Sequence, residues 1–147
     1  MLGRLFRPVF YAAFFVHNNI FHTPRARVVV RNESGDILLV KNWFDLSKWS
    51  LPGGGVHSHE RFEDAAKREL YEETGILIET SDLRLVAIIE ARQHKVSIFS
   101  VTVQKTPISI NRHNRYELSD IGWHSPASLP AMQRISARAM ALMEETS

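Results

Sequence analysis

Two short apolar runs, residues 27–31 (RVVVR) and 37–40 (ILLV), are separated by Asn32-Glu33-Ser34-Gly35-Asp36. β-branched and aliphatic runs broken by a glycine-containing polar loop predict a β-hairpin. Residues 48–51 (KWSL) then lead into Pro52-Gly53-Gly54-Gly55, a clear break in any regular element. From Arg61 to about Thr74 the period changes: Phe62, Ala65, Ala66 and Leu70 recur at helical spacing and predict an amphipathic helix. Residues 76–78, 83–90 and 96–103 (VSIFSVTV) predict strands, and 117–123 a short one with a polar start. Ser125-Pro126 begins a helical turn. Pro130 introduces a closing helix over 131–144, with Met132, Ile135, Ala139, Leu142 and Met143 as its apolar positions. Strands with one central and one terminal helix predict an α/β sandwich.

Residues 1–24 form a separate apolar segment, ahead of a single domain over 25–147. Arg4 and Arg7 precede the run 9–16, which superficially resembles a secretory signal, but no small-x-small cleavage site follows and His17-Asn18-Asn19 interrupts it. The run falls short of the roughly 20 apolar residues that span a bilayer. The segment is therefore expected to pack on the domain or on a second subunit of a homodimer, and no membrane contact is expected of it.

The 147 residues suit one domain with a sizeable core. Hydrophobic residues at 44% and charged residues at 23% are ordinary for a globular chain. A net charge of +2 is too small to indicate DNA or other nucleic acid as a partner. Cysteine is absent, which excludes disulfides, thiolate metal sites and a cysteine nucleophile and is compatible with the cytoplasm.

The predicted helix ends in an arrangement that local physics disfavours. Glu69, Glu72 and Glu73 are three and four residues apart and share one helix face. Like charges at that spacing repel by a few tenths of a kcal/mol per pair. They also crowd the C-terminal end, where the helix dipole disfavours anions, just before Gly75, a well-placed left-handed cap. Acids set against both rules indicate a cation site, and a hard divalent ion such as Mg²⁺ (or Mn²⁺) is the natural ligand of carboxylate oxygen.

The same stretch resembles the Nudix box. That pattern runs Gly, five residues, Glu, seven residues, Arg-Glu-apolar-x-Glu-Glu-x-Gly-apolar, and here Gly54, Glu60, Arg68, Glu69, Leu70, Glu72, Glu73, Gly75 and Ile76 fill every fixed position. WSLPGG before the box, and Glu117, Trp123 and Leu129-Pro130 after it, extend the likeness more weakly. The resemblance implies a mixed β-sheet between helices, an α/β/α sandwich. It also implies Mg²⁺- or Mn²⁺-dependent cleavage of a diphosphate linkage in a nucleoside diphosphate derivative. ADP-ribose or another nucleoside-diphosphate sugar, nucleoside triphosphates including oxidised forms, dinucleoside polyphosphates and capped RNA ends all remain open. Some relatives isomerise isopentenyl diphosphate with a cysteine that this chain lacks. Others only sense nucleotides, usually after losing box carboxylates, which are all present here.

By the same likeness, Glu69, Glu72 and Glu73 are expected as metal ligands, with the carbonyl of Gly53 and a later acid. Glu117 is the candidate for that acid, with Asp120 and Glu90 as competitors, and Glu69, Glu72 or a later Glu as the base. Arg68 is expected to pair with Glu60 and orient the ligand carboxylates from behind. Gly53, Gly54 and Gly55 allow close backbone approach to metal and phosphate. Trp43 and Phe44, in the loop before the Pro-Gly turn, offer aromatic faces to a nucleobase. Arg27, with Arg25, is set to meet a diphosphate or sugar, or to serve as an edge-strand charge. Arg92 and His94 follow Glu90 in a predicted loop and are candidates for phosphate contact. His57 and His59 stand where many relatives carry an acid and a glycine.

Overall fold

The computed structural model describes residues 23–92, 94–104, 108 and 117–145. The N-terminal segment is thus outside the described residues except for Thr23 and Pro24. β1 (Arg25–Arg31) is the centre of a seven-stranded mixed sheet. Val28, Val29 and Val30 are all fully buried, which explains why this strand reads as a continuous run: both of its faces lie under other layers. β2 (Ile37–Asn42) returns antiparallel, with Arg31 opposite Ile37. The turn between them is set by Asn32, whose Oδ1 accepts from the Ser34 and Asp36 amides, both at 2.9 Å, and by Gly35 at φ 82°.

β3 (Asp45–Ser50) pairs with β2, and β4 (Gly53–Gly55) pairs with the first half of β1. β5 (Arg84–Ala91) and β6 (His94–Thr102) form a hairpin, and β6 runs parallel to β1 from Arg25↔Val96 to Arg31↔Thr102. β7 (Leu118–His124) covers the other side of β2. A parallel β1–β6 pair needs a crossover, and the intervening sequence supplies it with helix α1 (Phe62–Thr74).

α1 lies on one face of the sheet, where Ala65, Ala66 and Leu70 pack with Ala26, Val28, Val30, Leu38, Phe99 and Val101. Helix α2 (Arg134–Glu145) covers the opposite face, with Ala139, Met140 and Met143 against Val29, Ile37, Leu39, Ile89 and Ile98. The expected α/β/α sandwich is therefore the observed architecture. Among the described residues, no helix is long and apolar enough to cross a membrane.

Several local expectations need correction. Residues 76–78 are not a strand: Gly75 caps α1 at φ 75°, its amide donating to the Tyr71 carbonyl, and the chain then drops Ile76 and Ile78 into the core as irregular anchors while Leu77 points out. Alternating burial without a partner strand mimics a strand in sequence. Residues 45–50 form a further strand, which the sequence does not signal because its two large apolar residues, Leu46 and Trp49, do not alternate with polar ones. The triple glycine was read as a break, yet it is a short strand. Gly53 adopts φ 136°, and a Cβ there would sit 2.1 Å from the Ala26 carbonyl oxygen. The closing helix starts at Arg134 rather than Ala131, since the Trp49 amide donates to the Ala131 carbonyl and the Gln133 amide to the Trp49 carbonyl.

Leu70 is fully buried beneath α1 while Leu77 is 74% exposed. Leu70→Ala is expected to cost about 2–5 kcal/mol of unfolding free energy. Leu77→Ala should stay within about 0.5 kcal/mol of the parent. Urea titration of both variants checks the packing assigned to this helix.

Candidate active site

α1 docks its C-terminal half against β4, and the contact is made by its acids. The Gly53 amide donates to Glu73 Oε2 at 2.8 Å in a buried hydrogen bond. Gly54 passes so close to Glu69 that a Cβ there would lie 2.5 Å from the Glu69 carboxyl carbon. Glycine at 54 is thus required by a neighbouring side chain, in addition to any later approach of a ligand.

Glu73 is 6% exposed. Burial pushes its carboxyl up to about 8, reinforced by the charges of Glu69 and Glu117 and opposed by Arg27 and the Gly53 amide. Glu69 is raised mainly by burial and further by Glu72, against the pull of Arg68. Glu117 is raised by burial and by Glu69 and Glu72. The four acids therefore sense one another across the α1–β4–β7 junction. Glu117 gets there because the Trp43 amide donates to its carbonyl at 3.1 Å, which fixes the start of β7 beside the end of β2. Its two competitors lie elsewhere: Glu90 faces Lys95 on the β5–β6 hairpin at 3.6 Å, and Asp120 is exposed on β7, opposite Lys41.

Arg68 organises the other side of the cluster. Its Nε and Nη2 donate to Glu60 at 2.8 and 3.0 Å, a two-pronged pairing. Nη1 donates to Glu69 Oε1 at 2.8 Å and to Glu72 Oε2 at 3.3 Å, and Nη2 also reaches the Gly55 carbonyl at 2.9 Å. The hydrogen bond from Arg68 draws the Glu60 carboxyl down to about 2, and the same pairing raises the guanidinium. Glu60 also accepts from the His57 amide at 2.8 Å, which closes the loop ahead of α1. The Arg68–Glu60 pair is the one expected; the reach to Glu72 is an i,i+4 helix contact, while that to the Gly55 carbonyl depends on how the loop folds back and leaves no periodic signature.

Arg27 was expected to meet substrate. Its Nη1 donates to the carbonyls of Leu51 and Gly53, both at 2.8 Å, and burial lowers its pKa. The side chain thus straps β1 to the turn before β4, and the Gly53 carbonyl already carries one hydrogen bond. Nothing local in the sequence signals this, since the partners lie 24 and 26 residues away. Trp43 and Phe44 are exposed in the turn that joins β2 to β3, as expected of a loop, and the Trp43 amide donates to the Glu117 carbonyl. Arg92 stands exposed in the β5–β6 turn, away from every hydrogen bond of the acidic cluster. His57 and His59 are exposed in the loop before α1; His59 sits at φ 65°, a left-handed conformation that glycine adopts more cheaply.

Among the described residues, no three acids or histidines converge tightly enough to grip an ion as the side chains stand. Glu69 and Glu72 are turned to Arg68, each with a second carboxylate oxygen to spare. The donor chemistry nonetheless suits a hard divalent cation. The Glu73 carboxyl has like charges and one amide donor around it, and the nearby Arg27 charge does not offset its burial, so an added cation would be favoured by this set of oxygens.

Residues 21–143 match the NUDIX domain family. A putative 8-oxo-dGTP diphosphatase of Bacillus subtilis (strain 168) is 54% identical over 54 residues, 37% of this chain and 36% of that protein. The chain spans about a third of the length of the curated relatives it matches. Among solved structures, a MutT NUDIX hydrolase from Burkholderia pseudomallei superposes with a TM-score of 0.71 at 21% identity, covering 82% of this chain and 96% of that one. An ADP-ribose pyrophosphatase from Streptococcus suis 89-1591 gives 0.67 at 24%, covering 85% and 91%. At those identities the superpositions speak to the fold.

Glu73 makes the metal-free protein pH-sensitive in a defined direction. Its folded pKa of about 8 lies above the unfolded value near 4.5, so folding favours the protonated form. Stability is full below about pH 4.5 and is lost as pH rises to 8, at up to about 1.4 kcal/mol per unit. Glu69 and Glu117 act in the same direction. Glu60 acts oppositely, but its loss falls below about pH 4.5. In chelator, urea unfolding from pH 5 to 8 should show the parent weakening more steeply than Glu73→Gln, which keeps the contributions of Glu69 and Glu117. Equal slopes for parent and variant would show that Glu73 is not buried as described. Separately, His59→Gly should raise stability by up to about 1 kcal/mol if left-handed strain outweighs the added chain entropy; thermal melting reads the sign.

Proposed function

This chain belongs to the NUDIX family, and on that premise we propose that it is a pyrophosphohydrolase which cleaves a diphosphate linkage in a nucleoside diphosphate derivative. The observation that carries the reading is the cluster of Glu69, Glu73 and Glu117 where α1 meets the glycine strand: burial raises the pKa of all three, and the charge of Glu69 raises Glu73 and Glu117 further. Evolution of a stable fold alone gives no reason to bury such a group next to two other acids.

Glu69, Glu72, Glu73 and Glu117, with the Gly53 carbonyl, would hold Mg²⁺, or Mn²⁺ in its place. The bound cation would neutralise phosphate charge and acidify a coordinated water. The chain's own groups account for the rest. Glu73 gives up its proton on loading, so affinity rises with pH up to about 8. Arg68 holds Glu69 and Glu72 by one oxygen each, limiting their rotation, while Glu60 locks the guanidinium. Whichever of Glu69, Glu72 and Glu117 is not fully committed to the cation takes the proton of the attacking water. Gly54 and Gly55 leave room for phosphate over β4. Trp43, whose amide donates to the Glu117 carbonyl, and its neighbour Phe44 are proposed to stack on the nucleobase. Arg27 acts from behind, by fixing Gly53, and Arg92 serves the distal phosphate or sugar only if substrate extends to the β5–β6 turn.

The relatives' names span both substrate classes raised by the box. The B. subtilis relative is named for an oxidised nucleoside triphosphate and the S. suis structure for ADP-ribose. The cytoplasm, which supplies both and suits a cysteine-free chain, is the proposed compartment.

The test is incubation with Mg²⁺ and a panel of nucleoside triphosphates, nucleoside-diphosphate sugars, dinucleoside polyphosphates and 5′-triphosphate or capped RNA, with products separated by chromatography. Cleavage of one class is expected, with kcat/KM lower by about 10²–10⁴-fold in Glu73→Gln. Tight nucleotide binding without turnover would replace the hydrolase with a sensing module. For the class that is cleaved, Trp43→Ala or Phe44→Ala should raise KM by roughly tenfold, from a stacking energy of about 1–3 kcal/mol, and leave kcat nearly unchanged.

A further inference from the structure

The sandwich is incomplete over its edge strand. α2 covers one face of β5, where Ile89 is buried with Val96 and Met140 and where Val86 and Ala87 pack. On the other face Leu85 lies opposite Phe99, and Ile88 opposite Ser97. Phe99 belongs to the core beneath α1, so Leu85 and Ile88 stand on α1's side of the sheet. α1 packs against β4, β1 and β6 and does not extend to β5. As a result Leu85 is 52% exposed and Ile88 is 56% exposed, neighbours on a strand whose outer edge has no sheet partner among the described residues. A bare edge strand with an apolar face is a liability that proteins cover.

The position at which the described chain begins indicates what covers it. Arg25 pairs with Val96 on β6, and Val96 pairs with Ile89 on β5, so these three residues lie in one row across the sheet. The chain therefore enters the sheet two strands from Ile88, about 10 Å at normal strand spacing, which three extended residues span. The 22 residues before Thr23 are rich in aromatic and aliphatic side chains, with the run 9–16, and contain Arg4 and Arg7 but no acid. Composition, length and the point of emergence all match one surface.

We propose that the N-terminal segment of this same chain docks its apolar run on the bare face of β5, against Leu85 and Ile88, and supplies the covering layer that α1 leaves out. This goes beyond the hydrolase reading and stands without it.

Because the chain has no cysteine, cross-linking tests the contact cleanly. Full-length chains carrying Ile88→Cys with one of Val9→Cys, Phe10→Cys, Phe14→Cys or Phe15→Cys are oxidised at low concentration. Leu46→Cys, on the hairpin at the opposite edge, replaces Ile88→Cys in the controls. Both receiving positions are exposed, so neither substitution opens the core, and circular dichroism of the reduced chains verifies the fold. The expected result is a disulfide within the monomer for at least one Ile88 pair, formed at least tenfold faster than with Leu46→Cys. Equal rates for the two receiving positions would overturn the proposal. Disulfides found only between chains would also overturn it, and would assign the face to a second copy.

Discussion

A carboxylate held where water cannot reach it constrains this molecule more than any other single group. Glu73 must reach the Gly53 amide, so α1 must end against β4, and β4 must be free of side chains to let it approach. Gly53 is in turn fastened by Arg27 through its carbonyl, which ties the same turn to the central strand. The two strongest features of the local sequence, a triple glycine and a run of acids, are halves of one contact. The contact is unfavourable in isolation, since it places an ionisable group under the core with like charges beside it. A cation bound there, as proposed, would reverse the sign of that interaction and couple stability to ligand binding at one residue.

Arg68 sets a second level of order. One guanidinium spans Glu60, Glu69, Glu72 and the Gly55 carbonyl, joining the loop before α1 to the helix and to β4. It neutralises part of the acidic face without filling the site. Lysine, a point charge, could not form the same fork. The acids are thereby oriented before any ligand arrives, which lowers the reorganisation that loading demands. The aromatic tip of the β2–β3 hairpin is brought to the same end of the sheet by a backbone bond from Trp43 to Glu117, so the surface suited to a flat ring and the acid furthest along the chain share one anchor.

Short-range chemistry was written plainly in the chain. The α1 helix, its packing residues, its glycine cap and the hairpin around Asn32 and Gly35 follow from spacing and turn preference, because each depends on neighbours within a few residues. The acids stood out by being placed against charge spacing and helix dipole alike, and the box they form disclosed the family. What depended on distant partners did not show. Residues 76–78 alternate like a strand because the core takes Ile76 and Ile78, yet no strand lies beside them. Residues 45–50 show no alternation, with Leu46 and Trp49 three apart, yet β2 offers them a ladder.

The sequence alone determined the fold class, the family and the identity of the acids, since these rest on local periodicity and fixed spacing. Only the tertiary structure decided the work of individual side chains. It separated Glu117 from Glu90 and Asp120 by placing β7 beside β2. It turned Arg27 from a candidate ligand contact into a strap for Gly53, and left Leu85 and Ile88 bare because α1 stops short of β5. Those outcomes depend on which strands become neighbours, a property of residues far apart in the chain that no local pattern encodes.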